Sequence, residues 1–303
     1  MSVDDMQVAP SKPRRLWPAA YVFVFFALVG LGLFAWDGSF GHIVFFGLVG
    51  LATAAGFMIH AKARQRRKRW GHKLSLAVIG LSIFLGAGVF GRQSFQLEGF
   101  FFYLLHGLVG GVVIHYLVAK IIGPFFIGRA FCGWGCWTWM LLDYLPFKKS
   151  PGKPLGKLPW LRVVHFVVSA ALVCGLWFLV GYRHGIEWKT TDGLWWFLAG
   201  NALYFGAGIV LAFVFKDNRA FCKILCPITV FLRVGARFSL LKVAGNLEGC
   251  TQCGACDKAC PVDIPVSQYV NAGKRVISSE CTLCQTCISS CAQRNLDLSL
   301  EMD

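Results

Sequence analysis

Cysteines are the residues best suited to chemistry in this chain, and eight of its thirteen stand in two runs near the C-terminal end. Residues 250–261 read CTQCGACDKACP and residues 281–291 read CTLCQTCISSC. Both runs follow the pattern C-x-x-C-x-x-C-x-x-x-C, in which three closely spaced thiolates bind three irons of one cubane while the fourth thiolate comes from elsewhere. The spacing therefore predicts two 4Fe-4S clusters.

The pairing of the two runs follows from the same pattern, because the fourth cysteine of each run ligates the other cluster in two-cluster ferredoxins. One cluster is then predicted to use Cys250, Cys253, Cys256 and Cys291, and the other Cys281, Cys284, Cys287 and Cys260. Zinc sites typically take their four ligands from two C-x-x-C pairs, which would leave the further thiols of these runs unexplained. Disulfides are disfavoured on the cytoplasmic side of a membrane, where the charge pattern below places this tail.

A second cysteine pattern occurs twice, as RAFCGWGC over residues 129–136 and RAFCKILC over residues 219–226. We call these two segments the RAFC motifs. On a helix, residues four apart share a face with Cβ atoms ~5–6 Å apart, which suits two thiolates that hold one metal or one cluster. The predicted metal site therefore comprises Cys132, Cys136, Cys222 and Cys226. The alternative is that these are small buried hydrophobic residues, but repetition of the arginine with both cysteines argues against it.

The elements that carry these cysteines are membrane spans, because 56% of the residues are hydrophobic and 15% are charged. Six apolar runs approach the ~20 residues that cross a bilayer. They are residues 17–36, 41–60, 74–91, 100–122, 162–181 and 193–215. The predicted fold is an all-α integral membrane bundle of about six transmembrane helices, followed by a small α+β domain of the two-cluster ferredoxin type.

Three regions follow from these patterns. Residues 1–73 are predicted to hold two N-terminal helices and a basic loop, and residues 74–243 four helices as two repeats that each end in a RAFC motif. Residues 244–303 are predicted to form the ferredoxin domain. Such a short domain has little hydrophobic core, so we expect its clusters to stabilise it.

Charge predicts the orientation of the chain in the membrane. Residues 1–243 hold 26 Lys and Arg against 8 Asp and Glu, while residues 244–303 hold 4 against 7. The cations concentrate in alternate short segments, at Lys12, Arg14 and Arg15, in residues 62–73, and at Lys148, Lys149, Lys153 and Lys157. By the positive-inside rule we expect both termini, the RAFC motifs and the ferredoxin domain on the cytoplasmic side of the inner membrane. The basic charge thus reflects the lipid bilayer as a partner and gives no reason to expect nucleic acid.

Paired C-x-x-x-C motifs after transmembrane helices, combined with a C-terminal two-cluster domain, resemble the NapH and NosR type of membrane polyferredoxin. The resemblance covers about residues 75–300. It implies a membrane electron-transfer protein that receives electrons from quinol. The chain departs from that pattern where Trp137 follows Cys136, whereas Pro227 follows Cys226, and it has two further N-terminal spans.

We therefore expect an electron carrier between the membrane quinone pool and a partner redox protein, such as a subunit of a quinol dehydrogenase rather than a stand-alone enzyme. Outer-sphere transfer requires no catalytic acid or nucleophile. His106 and Glu98 are candidates for a quinone site, since a quinol must release protons. Haem is disfavoured, because intramembrane histidines such as His106 and His115 often bond across helices. The alternative function is an accessory or maturation factor that reduces a metal or a thiol during assembly of another enzyme.

Overall fold

The computed structural model describes residues 17–62, 65–147, 150, 152, 156–182 and 191–300, without the side chains of residues 60–70. Several cations used to predict orientation fall outside the described residues. They are Lys12, Arg14 and Arg15, most basic side chains of residues 62–73, and Lys148, Lys149 and Lys153.

Helices dominate the described residues, and a two-stranded sheet lies in the C-terminal part. The helices are α1 (Trp17–Asp37), α2 (Phe40–Lys62), α3 (Gln65–Leu81), α4 (Leu97–Leu105), α5 (Gly111–Tyr116), α6 (Gly123–Ile127), α7 (Ala130–Trp134), α8 (Trp137–Leu142), α9 (Leu161–Phe178), α10 (Thr191–Phe215), α11 (Ala220–Ile224), α12 (Thr229–Arg237), α13 (Ala255–Ala259), α14 (Val266–Asn271) and α15 (Thr286–Ser290). The strands are β1 (Lys242–Gly245) and β2 (Leu296–Ser299). Two π-helical segments interrupt the α-helices, Ser82–Phe90 after α3 and Leu117–Ile122 between α5 and α6.

Five helices among the described residues are long and apolar enough to cross a membrane. They are Trp17–Asp37, Phe40–Ile59, Gly71–Phe90, Leu158–Phe178 and Thr191–Phe215. These five confirm the spans predicted at 17–36, 41–60, 74–91, 162–181 and 193–215. The chain is a multi-pass membrane protein of mainly helical fold.

The sixth predicted span, over residues 100–122, is wrong as a continuous helix. α4 ends at Leu105, and Gly107 takes the left-handed conformation with φ of 70°, which a helix cannot continue through. The backbone N–H of Leu108 then donates to the carbonyl of Tyr103 at 3.0 Å, and α5 begins at Gly111 in the reverse direction. Residues 97–127 thus form a helical hairpin whose second arm, Gly111–Ile127, is a shorter apolar helix.

The segment before this hairpin turns back into the bundle. Gln96 is buried and packs against Gly200, where a Cβ would lie 2.8 Å from the Gln96 Cγ. Gly200 is nine residues into α10, about 13 Å along that helix at 1.5 Å per residue. Polar side chains from this segment therefore reach the middle of the apolar bundle.

The ferredoxin-like domain contains the sheet, in which β1 and β2 pair antiparallel with Lys242 opposite Ser299. Its core is continuous with that of the membrane helices. Ala19, Val22 and Trp134 belong to the same buried cluster as Leu241 and Leu298. The domain therefore packs on one end of the bundle, the end at which α1 begins and both RAFC motifs lie.

Candidate iron-sulfur site

The eight cysteines of the C-terminal runs line two separate cavities. Cys250, Cys253, Cys256 and Cys291 line one of them, and Cys260, Cys281, Cys284 and Cys287 line the other. These are the two sets that the crossover of the fourth cysteine requires. The structure brings each set together, and ligation of a cluster by each set stays a prediction.

The two cysteine loops have the same backbone conformation at an offset of 31 residues. Gln252 and Gly254 in the first loop have φ of 53° and 66°, and Leu283 and Gln285 in the second have φ of 49° and 59°. Left-handed residues alternating with ordinary ones let successive backbone N–H groups converge on an anion. Each loop then enters a short helix, α13 or α15.

Backbone donors reach the fourth cysteine of each run in the same way. The N–H of Ile264 donates to the Cys260 Sγ and that of Asn295 donates to the Cys291 Sγ, both at 3.4 Å. Such bonds stabilise thiolate ligands and tune the potential of an iron-sulfur cluster. Four thiols around each cavity, with amide donors to sulfur, fit a 4Fe-4S cluster.

Burial controls the protonation of these thiols in the absence of iron. It raises the pKa of Cys260 to about 11 and that of Cys281 to about 12. At the exposed end of the first loop, hydrogen bonds from the Ala255 backbone and the Thr251 side chain lower the pKa of Cys253. Because metal ligation requires thiolates, iron binding must release protons from the buried cysteines.

The RAFC motifs fold alike but are not single helices. α7 ends at Trp134 and α11 at Ile224, so Cys136 and Cys226 lie beyond the helix ends. The prediction that each cysteine pair shares one helix face is therefore wrong. Gly135 and Leu225, with φ of −138° and −123°, interrupt the helices and redirect the second cysteine of each motif.

The four RAFC cysteines nevertheless meet in one buried cluster. Cys222 is buried there, and Cys132, Cys136 and Cys226 pack against the same residues. Among the described residues, no three His, Cys, Asp or Glu side chains are placed to hold a single metal ion. This holds for the RAFC set and for both ferredoxin sets, so the binding of a metal or cluster by the RAFC cysteines stays a prediction.

Cations surround the RAFC cysteines. The Nζ of the buried Lys120 lies 3.3 Å from the centre of the Phe131 ring, and Phe131 directly precedes Cys132 in the sequence. Burial and the neighbouring thiols raise the pKa of Cys226 to about 12, and Lys120 and Arg129 act in the opposite direction. Positive side chains near thiols stabilise the thiolate form, which is the form that binds metal.

The second ferredoxin loop lies directly on the first RAFC motif. The indole Nε1 of Trp134 donates to the carbonyl of Leu283 at 2.9 Å. At Gly133 the RAFC motif and the second ferredoxin loop are very close. Any Cβ at this position would collide with the carbonyl oxygen of Thr282 and would lie 3.5 Å from the Cβ of Cys284. The cavity lined by Cys281 and Cys284 is therefore adjacent to Cys132.

Ion pairs hold this contact together. Glu280 accepts hydrogen bonds from Arg129 at 2.6 Å and from Arg162 at 2.8 Å, and Arg233 lies 3.3 Å away. Although burial alone would raise the pKa of Glu280, Arg129 and Arg162 lower it to about 2. The carboxylate is thus charged at neutral pH and bridges three elements of the membrane domain.

The second RAFC motif makes a smaller ionic contact with the same domain. Lys223 pairs with Asp263, three residues after Cys260, and with Asp217 at 2.7 Å. The arginine of the second motif faces the membrane domain instead. Arg219 pairs with Asp143, and its guanidinium carbon lies 3.7 Å from the centre of the Trp139 ring. The two motif arginines therefore have different partners.

Sequence reasoning missed Glu280, Asp263 and Gly133 as functional positions. No spacing rule marks them, because their partners are 40 to 151 residues away along the chain. The one available signal was the charge asymmetry between a basic membrane part and an acidic tail. Two acidic residues of the tail, Glu280 and Asp263, pair with cations of the membrane part at the interface.

Two family models match the chain. The 4Fe-4S dicluster domain matches residues 242–292, and the 4Fe-4S binding domain matches residues 109–154 and 199–243. The second model therefore matches twice, with starts at 109 and 199, which reproduces the ninety-residue offset between the RAFC motifs. No solved structure matches the chain at a significant level.

Curated relatives are similar over much of the chain. A methylamine utilization ferredoxin-type protein, MauN of Methylorubrum extorquens, is 29% identical over 242 residues, which are 70% of this chain and 81% of the relative. The electron transport protein YccM of Escherichia coli is 28% identical over 58% of this chain and 52% of its own length. An uncharacterised protein of Methanocaldococcus jannaschii is 25% identical over 63% of this chain and 74% of its own length.

Proposed function

Because this chain is a membrane polyferredoxin that functions in iron-sulfur electron transfer, we propose that it passes electrons between a quinone in the bilayer and a partner redox protein. The RAFC cysteines would hold a further cluster or metal at the membrane end, and the ferredoxin domain would hold two 4Fe-4S clusters. When bound, such clusters gain and lose single electrons without making or breaking bonds to a substrate. The cytoplasmic side of the inner membrane is the proposed location of the ferredoxin domain.

One observation carries this proposal. The loop that holds Cys281 and Cys284 packs on α7, the helix of the first RAFC motif. At Gly133 no side chain separates the loop from this helix. A domain that served only as a tether would not need its cysteine loop at the contact. Here the loop itself is the contact, and its position beside Cys132 supports a route between the membrane end and the ferredoxin domain.

The residues at this junction hold the route in place. Glu280 neutralises the buried Arg129 next to the first RAFC cysteine, and Trp134 anchors the Leu283 carbonyl. In the ferredoxin domain, Cys253 is exposed whereas Cys260 and Cys287 are buried. The loop around Cys253 is therefore the face at which a partner protein could exchange electrons with the first cysteine set.

The test uses anaerobically purified full-length protein. We expect about twelve irons per chain if the RAFC site holds a third cubane, and reduction of the clusters by a quinol, seen as loss of visible absorbance. The double substitution Cys132→Ser with Cys222→Ser should remove about four irons and the response to quinol. Cys174→Ser is the matched control, since this exposed cysteine in α9 lies outside all three cysteine sets.

Two results would contradict the proposal. Quinol reduction that survives the double substitution unchanged would remove the RAFC site from the route. Stoichiometric copper or zinc on the RAFC cysteines, in a protein that quinol does not reduce, would favour the accessory or maturation role instead.

A further inference from the structure

We propose that a cavity between the N-terminal helix pair and the centre of the bundle binds the ring of a lipophilic quinone. The cavity has a volume of about 280 Å³, and α1, α2, α3, α5 and the first RAFC motif contribute to its walls. This site deepens the proposed function and rests on it, because it assigns a binding place to the quinone invoked there.

The walls are apolar and largely aromatic. Phe26, Phe45, Phe46, Phe57, Phe95, Phe131 and Trp134 all line the cavity. Ligand sites of this kind combine such walls with a small number of polar groups that fix orientation. A flat ring with polar oxygens fits that combination better than an acyl chain, which needs no polar partner.

Two polar side chains on one wall are suited to hydrogen-bond the ring oxygens. His115 lines the cavity, and its Nε2 is enclosed without any hydrogen-bond partner. Gln93 also lines the cavity and is only 7% exposed. Leaving a polar atom buried and unpaired costs roughly 1–3 kcal/mol, so a ligand that pairs with His115 would recover that energy.

The other polar side chains around the cavity are already paired. The Thr53 hydroxyl donates to the Val49 carbonyl at 2.8 Å, and the His42 Nε2 lies 2.7 Å from the Asp37 carboxylate. This difference selects His115 as the group that remains for a ligand, with the Gln93 amide beside it on the same wall.

The backbone makes room for this pair. A Cβ on Gly111 would lie 3.0 Å from the Gln93 Oε1, closer than an ordinary contact. Gly111 and His115 are four residues apart, so they share one face of the helix. The glycine therefore lets the Gln93 amide lie beside the His115 ring on the same wall.

Both π-helical segments border the cavity. Ile83 and Ala87 come from the segment Ser82–Phe90, and Val118 and Ala119 from the segment Leu117–Ile122. Departures of this kind from α-helical geometry occur often at functional sites, because the extra residue changes which side chains face inward.

The position of the cavity suits electron transfer. Its walls include Ala130, Phe131 and Gly135 of the first RAFC motif. The His115 ring lies 5.1 Å from the Phe131 ring, and Cys132 is the next residue. A ring bound at His115 would thus lie between the lipid-facing α1 and α2 and the RAFC cysteines.

The residues first considered for quinone binding lie elsewhere. Glu98 accepts a hydrogen bond from Ser169 at 2.6 Å, and His106 packs against Trp177 with ring centres 5.5 Å apart. Neither lines this cavity. The quinone cavity therefore lies along the second arm of the α4–α5 hairpin, away from Glu98 at the start of the first arm and from His106 at the turn.

The experiment is photolabelling of the full-length protein in lipid nanodiscs with an azido-ubiquinone, followed by peptide mass spectrometry. We expect labelled peptides from residues 42–57, 111–119 or 127–135, and loss of the label when decylubiquinone competes. His115→Leu and Gln93→Leu should each weaken that competition about tenfold, the loss expected for one hydrogen bond to a buried group.

Matched controls come from the same segments. His106→Leu and Gln96→Leu also replace buried polar side chains but do not line the cavity, so they should leave the labelling unchanged. Label found outside these peptides, or displaced equally well by decanol, would overturn the site and identify the cavity as a space for lipid chains.

The outcomes separate the site from the proposed function. Quinol-dependent cluster reduction that persists in His115→Leu, together with label elsewhere, would overturn this site and leave the function in place. Specific labelling of the cavity in a protein that quinol fails to reduce would support the site and contradict the function.

Discussion

Glu280 is a single carboxylate on which the junction between membrane bundle and ferredoxin domain depends. It pairs with Arg129, which is 1% exposed, and with Arg162, also buried. A buried guanidinium is costly unless it is paired, and removal of one partner from a buried ion pair is strongly destabilising. The residue also precedes Cys281, so the same pairs fix the start of the second cysteine loop.

We expect Glu280→Gln to lower the free energy of unfolding by about 3 kcal/mol, because it leaves Arg129 buried without a charged partner. Thermal unfolding of the anaerobic holoprotein, followed by loss of cluster absorbance, measures the change. Glu248→Gln is the matched control, since Glu248 is an exposed carboxylate in the same domain.

The pH dependence checks the cause. Arg129 and Arg162 lower the pKa of Glu280 from 4.5 to about 2, so the charged form stabilises the fold above pH 4.5 and the effect is lost as the pH falls towards 2. The difference in stability between the wild type and Glu280→Gln should therefore shrink across that interval. A difference that stays constant with pH would show that charge pairing is not its origin.

At the scale of elements, the two cysteine loops share one backbone conformation but differ in the residue type at one left-handed position. Gly254 and Gln285 occupy equivalent positions with φ of 66° and 59°. Glycine takes this conformation without strain, whereas a residue with a Cβ pays roughly 1–2 kcal/mol for it. The second loop therefore carries strain that the first loop avoids.

We expect Gly254→Ala to destabilise the first cysteine set by about 1 kcal/mol and to speed its loss of iron to a chelator. Gln285→Gly is the reciprocal variant and should slow iron loss from the second set or leave it unchanged. Iron release measured by visible absorbance under anaerobic conditions gives both rates. Equal acceleration in the two variants would refute the conformational argument.

The cysteine sets could be predicted from sequence because their spacing is local and ligand geometry is short-ranged. The break at Gly107 could not, since the residues on both sides are apolar and a hydropathy window averages across the turn. The redirection at Gly135 was missed for a similar reason, because C-x-x-x-C spacing is compatible with a helix but does not require one. The cavity beside His115 depends on α1, α2, α3, α5 and the first RAFC motif, which meet only in the folded bundle.

For the whole molecule, the end of the bundle that carries the ferredoxin domain also carries the beginnings of α1, α3 and α9. Trp17 and Tyr21 pack against the core that the domain shares, His72 bonds the Gly133 carbonyl at 2.6 Å, and Arg162 pairs with Glu280. The starts of α1, α3 and α9 therefore lie on the same side of the bundle as the domain. The starts of these three helices and the cysteine sets thus lie at one end of the bundle, a conclusion that does not depend on the charge rule.

The charge rule then predicts that this face is cytoplasmic, since cation-rich short loops stay inside. We expect a fluorescent reporter that folds only in the cytoplasm to be active when fused after residue 303, and a phosphatase that folds only outside to be inactive there. The turn between α1 and α2 at Gly38 supplies the matched insertion site, where the two reporters should behave in the opposite way. Phosphatase activity at the C-terminal fusion would place the ferredoxin domain outside. Because the domain packs on the bundle end that begins α1, that result would invert every span together, and the partner protein would then have to be sought on the outer side.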